Sequence, residues 1–62
     1  MRKQEFWLEH PDRLRTVVFR PEGDKVRLRK KVGLRWVWEE TMPLEFARKR
    51  YQWYLGLGYR AW

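Results

Sequence analysis

The fold of this chain is decided by the segment Lys25-Val26-Arg27-Leu28-Arg29-Lys30-Lys31-Val32. Cationic and apolar residues alternate through its first five positions, and the alternation continues loosely to the end. A period of two is typical of a half-buried β-strand. The apolar positions are therefore predicted to face the core: Val26, Leu28 and Val32. The cations on the other side then form one row about 20 Å long: Lys25, Arg27, Arg29 and Lys31.

Turn signals on both sides of this segment predict further strands. Residues 5–9 and 14–19 precede it, separated by His10-Pro11-Asp12, and residues 34–39 follow it after Gly33. The stretch Pro21-Glu22-Gly23-Asp24 predicts a turn, because proline presets φ and glycine accepts a left-handed conformation. We expect these strands to pair as an antiparallel sheet.

The hydrophobic period changes near Pro43, which suits the first turn of a helix, and Thr41 is the best nearby cap. The apolar stripe predicted to face the sheet consists of Leu44, Ala47, Tyr51, Tyr54 and Leu55. Gly56 and Gly58 end the helix. Residues 59–62 are expected to add an extended segment or to pack across the sheet. The predicted fold is α+β: a three- to four-stranded antiparallel sheet with one C-terminal helix packed on it, in a single small basic domain spanning residues 1–62.

The formal charge of +7, from 15 Lys and Arg against 8 acidic residues, indicates an anionic partner. Nucleic acid is the first candidate, an acidic protein surface the second and an anionic membrane surface the third. No apolar run is long enough to form an integral membrane segment, and the N-terminus lacks the apolar region of a signal peptide. A cytoplasmic location is therefore expected.

The residue types needed for common catalytic sites are missing. The chain has no Ser, Cys or Asn, and His10, beside Pro11, is interpreted as a solvated surface residue. Glu39 and Glu40 are neighbours on a predicted strand, so they face opposite sides and cannot act jointly. The glycines of Gly56-Leu57-Gly58 follow a helix, whereas a phosphate-binding loop precedes one. We expect no enzymatic activity, no metal and no cofactor.

Scattered residues resemble a family of small uncharacterised cyanobacterial proteins. They are Trp7-Leu8, Phe19-Arg20-Pro21-Glu22 and a C-terminal set made of Leu44, Ala47, Trp53, Leu55 and Gly58-Tyr59-Arg60. The resemblance implies a compact α+β fold and no particular chemistry, and the middle of this chain is shorter than in that family. The C-terminal pattern is also similar to the end of a WGR domain, although Gly33-Leu34-Arg35-Trp36 replaces the defining Trp-Gly-Arg order.

The first functional hypothesis is binding of the nucleic-acid backbone. The predicted polyanion-binding residues are Lys25, Arg27, Arg29, Lys31 and Arg35, with Arg48 and Arg50 as an auxiliary patch. If about four phosphates are neutralised, log affinity should fall with log salt at a slope near −3.6. The alternative is a solvated strand face whose cations deter edge pairing, or whose charge is cancelled by Glu5, Glu9 and Glu39.

The second hypothesis is a protein-interaction adaptor that docks on the acidic face of a larger complex. Its partner-contact aromatics would be Phe46 and Trp53, on the outer side of the helix, and Trp62. Trp36 and Trp38 are predicted to share one face of the fourth strand with Leu34, either as core or as a platform for stacking bases. An exposed edge strand would also permit a homodimer.

Overall fold

A computed structural model describes residues 4–61 as one antiparallel sheet with a single helix packed on it. Its elements in chain order are β1 (Phe6–Glu9), β2 (Arg15–Glu22), β3 (Lys25–Val32), β4 (Arg35–Pro43), α1 (Leu44–Gly56) and β5 (Arg60–Ala61). The strands lie in the order β4-β3-β2-β1-β5. The α+β class is confirmed. A fifth strand is added because the C-terminal segment pairs with β1, placing Ala61 opposite Leu8.

Two tight turns join β2 to β3 and β3 to β4. The predicted four-residue turn after β2 is wrong, because Pro21 and Glu22 continue the strand and pair with Val26 and Lys25. Only Gly23 and Asp24 make the turn, and Gly23 has a φ of 68°, the left-handed conformation expected of it. Gly33 does the same between β3 and β4, with a φ of 62°. Such short turns fix the register of both hairpins.

The helix starts later than its sequence signals indicate. Strand β4 continues to Pro43, which pairs with Lys25 and occupies the N-cap position with extended backbone angles. Thr41 is therefore a strand residue opposite Arg27, and the prediction that it caps the helix is wrong. The helix carries no side-chain cap, but the Leu44 N–H donates to the Asp24 carbonyl oxygen at 3.2 Å. This bond ties the start of α1 to the β2–β3 turn.

The core lies between α1 and one face of the sheet. Its buried residues are Leu8, Val17, Phe19, Val26, Leu28, Met42, Ala47, Tyr54 and Tyr59, with Trp38 and Tyr51 packed against them. Phe19 makes edge-to-face contacts with Tyr51 and Tyr54, at ring-centroid distances of 5.4 and 6.2 Å. Large rings thus supply bulk to a very small core, since each can bury roughly 150–250 Å².

Three residues predicted to face the core are partly exposed instead. Leu44 and Leu55 are the first and the twelfth residues of α1, so they lie near its two ends, where little of the sheet is left to cover them. Val32 ends β3 opposite Arg35 and is 39% exposed. The period of two was correct for Val32, but its position at the end of a hairpin leaves it uncovered.

A β-bulge separates Trp36 from Trp38. Lys31 pairs with Trp36 and Lys30 pairs with Trp38, so Val37 is an extra residue on β4. Lys30 and Lys31 point to opposite faces of the sheet, and their tryptophan partners do the same. Trp38 packs against the core, whereas Trp36 lies on the other face. The prediction that both indoles share a face with Leu34 is wrong, and Leu34 itself is an exposed turn residue.

Candidate nucleic-acid interface

The sheet face that α1 does not cover, here called the open face, carries the cations of β3. Val26 and Leu28 are buried in the core, so the four odd-numbered residues of β3 point away from the helix. We call these four the basic row: Lys25, Arg27, Arg29 and Lys31. Arg20 joins them from β2, because the register places it directly opposite Arg27.

Carboxylates neutralise the middle of the basic row. Arg27 Nη2 lies 3.4 Å from Glu22 Oε1, and Arg29 Nε lies 3.4 Å from Glu39 Oε1. Arg20 pairs likewise with Glu5 at 3.5 Å. In residues 4–61, no ion pair is formed by Lys25 or Lys31, the two ends of the row. The sequence left open whether the cations of the row are free or neutralised by carboxylates. The ends of the row fit the first alternative and its middle fits the second.

These ion pairs are weak enough to exchange. The side chains of Arg27 and Arg29 and their acidic partners keep about a third to a half of their surface exposed. Exposed pairs of this kind contribute about 0–1 kcal/mol to stability. A phosphate can therefore replace a carboxylate at either arginine at small cost to the fold.

Trp36 lies among the cations of the open face. The Arg29 guanidinium carbon is 3.9 Å from the Trp36 ring centroid, and Lys31 Nζ is 5.6 Å from it. The Trp7 ring meets Trp36 edge-on at 6.4 Å. Val18 belongs to this face by register but is buried, so the side chains around it cover it. The open face therefore has an apolar, aromatic centre within a charged surround.

The other predicted cations lie away from the basic row. Arg35 pairs with Val32, which puts it on the opposite side of the sheet from Lys31. Arg48 and Arg50 lie on α1, beyond the core, where Arg48 lines an apolar recess and Arg50 stands 5.7 Å from the Trp53 ring centroid. The structure thus brings together four of the seven predicted polyanion-binding residues and separates the rest.

Two of the predicted partner-contact aromatics line a groove between α1 and β4. Phe46 and Trp53 are 53% and 55% exposed, and the groove, of about 750 Å³, includes Thr41 and Pro43 of β4. Within residues 4–61, β4 is an edge strand paired only with β3. The third predicted aromatic, Trp62, lies outside the described residues.

His10 belongs to a structural loop between β1 and β2. Its ring packs edge-on against Tyr59 at 5.0 Å, and its Nδ1 accepts the backbone N–H of Asp12 at 3.1 Å. The interpretation of His10 as a merely solvated side chain is therefore wrong. The backbone N–H of Leu14, 2.8 Å from an Asp12 oxygen, is the largest cause that lowers the pKa of Asp12 to about 2, and Arg15 adds to it.

Sequence reasoning missed Arg20 and Glu22, whereas Glu5 and Glu39 were among the carboxylates expected to neutralise cations of this face. The signal for Arg20 was present, because it follows Val18 at a spacing of two, but the misplaced turn hid its position. Register also confirms that Glu39 and Glu40 face opposite sides, opposite Arg29 and Leu28. Within residues 4–61, no cluster of His, Asp or Glu is arranged to hold a metal ion, and no helix is long and apolar enough to cross a membrane.

No family model, no curated protein and no solved structure matches this chain. The resemblance to small cyanobacterial proteins and to WGR domains thus stays a prediction. The class of protein is therefore described from the structure alone. Residues 4–61 form a small α+β domain whose open face combines the basic row with an aromatic centre.

Proposed function

We propose that this chain is a non-catalytic binding module that holds nucleic acid by its sugar-phosphate backbone. One observation carries the proposal: the four cations of β3 stand in one row on the sheet face that the helix leaves uncovered. Adjacent members of the row are about 6.7 Å apart along the strand. A linear array of positive charge suits a polymer of phosphates better than a compact anion.

The ion pairs on this face fit reversible binding. Lys25 and Lys31 offer their charge directly, whereas Arg27 and Arg29 exchange a carboxylate for a phosphate. Arginine is suited to that exchange, because its guanidinium can bind either a carboxylate or a phosphate with two parallel hydrogen bonds. Contacts to phosphate fix position without reading sequence, so we expect low sequence specificity.

The salt dependence of binding tests the proposal. Four neutralised phosphates give a slope of log affinity against log salt near −3.6 for a duplex and about −2.8 for a single strand. The double variant Lys25→Gln, Lys31→Gln should reduce the slope on a single strand by about 1.4. The matched control is Arg48→Gln, Lys49→Gln, which removes the same charge from α1 and should keep the wild-type slope. A flat salt response, or equal losses in both variants, would contradict the proposal.

A second candidate function is docking of an acidic, extended protein segment in the groove between α1 and β4. The observation that favours it is the exposure of Phe46 and Trp53 beside an edge strand, with Lys49 5.9 Å from the Phe46 ring centroid. Such a segment would add to β4 through main-chain hydrogen bonds and place apolar side chains on the rings. Its acidic residues would complement the net charge of +7.

A synthetic peptide that alternates Glu and Leu tests this second candidate. It should bind the wild type, lose affinity for Trp53→Leu and keep it for Trp36→Leu, because only Trp53 lines the groove. Equal binding to both variants would reject the groove as the docking site.

A further inference from the structure

The bulge at Val37 places Trp36 on the same sheet face as the basic row. Without the extra residue, strict alternation would put Trp36 and Trp38 together on the core side. The bulge turns Trp36 onto the open face, beside Arg29 and Lys31. Bulges disrupt local pairing and often re-aim a side chain at a functional site. Here the redirected side chain is the Trp36 indole, which lies beside Arg29 and Lys31 of the basic row.

The surroundings of Trp36 leave part of its ring available. Arg29 lies over the ring, yet 42% of the Trp36 surface remains exposed. Arginine planes and aromatic rings are the two kinds of surface on which unpaired bases stack. The Arg29–Trp36 pair offers both at one place, with Lys31 close enough to hold a neighbouring phosphate.

The width of the open face and the position of the Trp36 ring favour binding of a single strand over binding of a duplex. Five strands spaced about 4.8 Å apart make a surface about 19 Å across. The major groove of B-DNA is about 12 Å wide and admits a helix or a two-stranded ribbon, so the five-stranded face as a whole is too wide to enter it. Stacking on the Trp36 ring needs a base with a free face, and the bases inside a duplex are stacked on their neighbours. An unpaired base therefore suits this ring best.

We propose that the open face binds single-stranded nucleic acid, with one base stacked on Trp36 while the basic row contacts the flanking phosphates. This inference rests on the proposed function and adds a preference for unpaired bases. Base stacking on an aromatic ring, with cations tracking the backbone, is a general mode of sequence-tolerant single-strand binding.

An abasic oligonucleotide separates the stacked base from the phosphates. We would measure the affinities of the wild type for a mixed-sequence single strand, for an abasic strand with the same number of phosphates and for the matching duplex. Stacking of one base predicts that the single strand binds about 5- to 150-fold more tightly than the abasic strand. Trp36→Leu should bring that ratio close to one, and Trp36→Phe should retain much of it.

Trp53→Leu is the matched control, since it removes another exposed tryptophan, one that lines the groove between α1 and β4. It should keep the wild-type ratio. Equal wild-type affinity for the single and abasic strands, tighter binding of the duplex, or an unchanged ratio in Trp36→Leu would each overturn the inference.

The same measurements distinguish a wrong role for Trp36 from a wrong proposal of backbone binding. If the single and abasic strands bind equally and both show the salt slope of the basic row, the backbone proposal stands and the role of Trp36 does not. If no strand binds in 50 mM salt, both fall. Circular dichroism would show whether Trp36→Leu folds, and if it does not, the wild-type comparison of the three strands decides alone.

Discussion

Glu39 and Glu40 provide a direct test of whether the open face of the sheet is the one that binds nucleic acid. They are consecutive residues of one type on one strand, and the register sends them to opposite sides of the sheet. Glu39 pairs with Arg29 on the open face at 3.4 Å, whereas Glu40 lies opposite Leu28 on the helix side. Glu39→Gln and Glu40→Gln each raise the net charge by one unit. Only the first should change the binding of nucleic acid.

The expected magnitude follows from the position of Glu39. A phosphate drawn to Arg29 would come within roughly 6 Å of the Glu39 carboxylate, where the repulsion in a water-like medium is about 0.7 kcal/mol. Glu39→Gln should therefore tighten binding about threefold at low salt. The salt slope should stay near −2.8 on a single strand, because Arg29 neutralises one phosphate with or without Glu39. The lost ion pair costs at most about 1 kcal/mol of stability, so the fold should persist.

Fluorescence anisotropy of a labelled single strand, titrated with each variant between 50 and 200 mM salt, measures both quantities. Glu40→Gln should match the wild type in affinity and slope. If the two variants tighten binding equally, affinity follows net charge alone and the open face has no special role. If Glu39→Gln weakens binding, Glu39 serves to position Arg29, and the exchange of carboxylate for phosphate is refuted.

Two further predictions concern the fold and its acid limit. Leu28→Ala removes a fully buried side chain from β3 and should cost about 2–5 kcal/mol. Because a domain this small rarely gains more than about 3–5 kcal/mol from its core, urea titration should show it largely unfolded. Val32→Ala, at a partly exposed site, should unfold near the wild-type midpoint, and equal losses in the two variants would contradict the described core. The pKa of Asp12 is lowered from 3.8 to about 2 by the backbone N–H of Leu14 and by Arg15. Its stabilising effect is therefore complete above about pH 4 and is lost as the pH falls towards 2. Thermal unfolding of Asp12→Asn should depend less on pH across that window than unfolding of the wild type, and identical pH profiles would remove this role.

The sequence was sufficient for the architecture because its strongest patterns are local. The alternation in β3 and the change of period near Pro43 are short-range properties, and the sheet and helix they predict are both present. The pairing of Ala61 with Leu8 joins residues from the two ends of the chain, and no local pattern distinguishes it from a tail packed across the sheet. An extended segment was one of the two alternatives for this tail, and its long-range pairing was therefore left open.

The candidate site was only partly predictable, because its charges depend on register. Strand alternation correctly placed the four cations of β3 on one face. Their pairing with Glu22 and Glu39 depends on where the two hairpins turn, and the predicted turn after β2 was two residues too long. A one-residue change of register moves a side chain to the other face. Arg35 shows the consequence, since its sequence proximity to Lys31 does not place it beside the row.

If the open face binds nucleic acid as proposed, the bulge and the ion pairs together determine where on it binding is strongest. The ends of the basic row, Lys25 and Lys31, hold the charge that no described carboxylate compensates, whereas Arg27 and Arg29 are compensated by Glu22 and Glu39. Trp36 contacts Arg29 and approaches Lys31, so stacking and free charge meet at the Lys31 end of the row. A single strand bound there gains a stacked base and an uncompensated cation at once, whereas among the described residues Lys25 makes no cation–π contact. Contacts to the Lys31 end should therefore persist at salt concentrations that have already released the strand from Lys25.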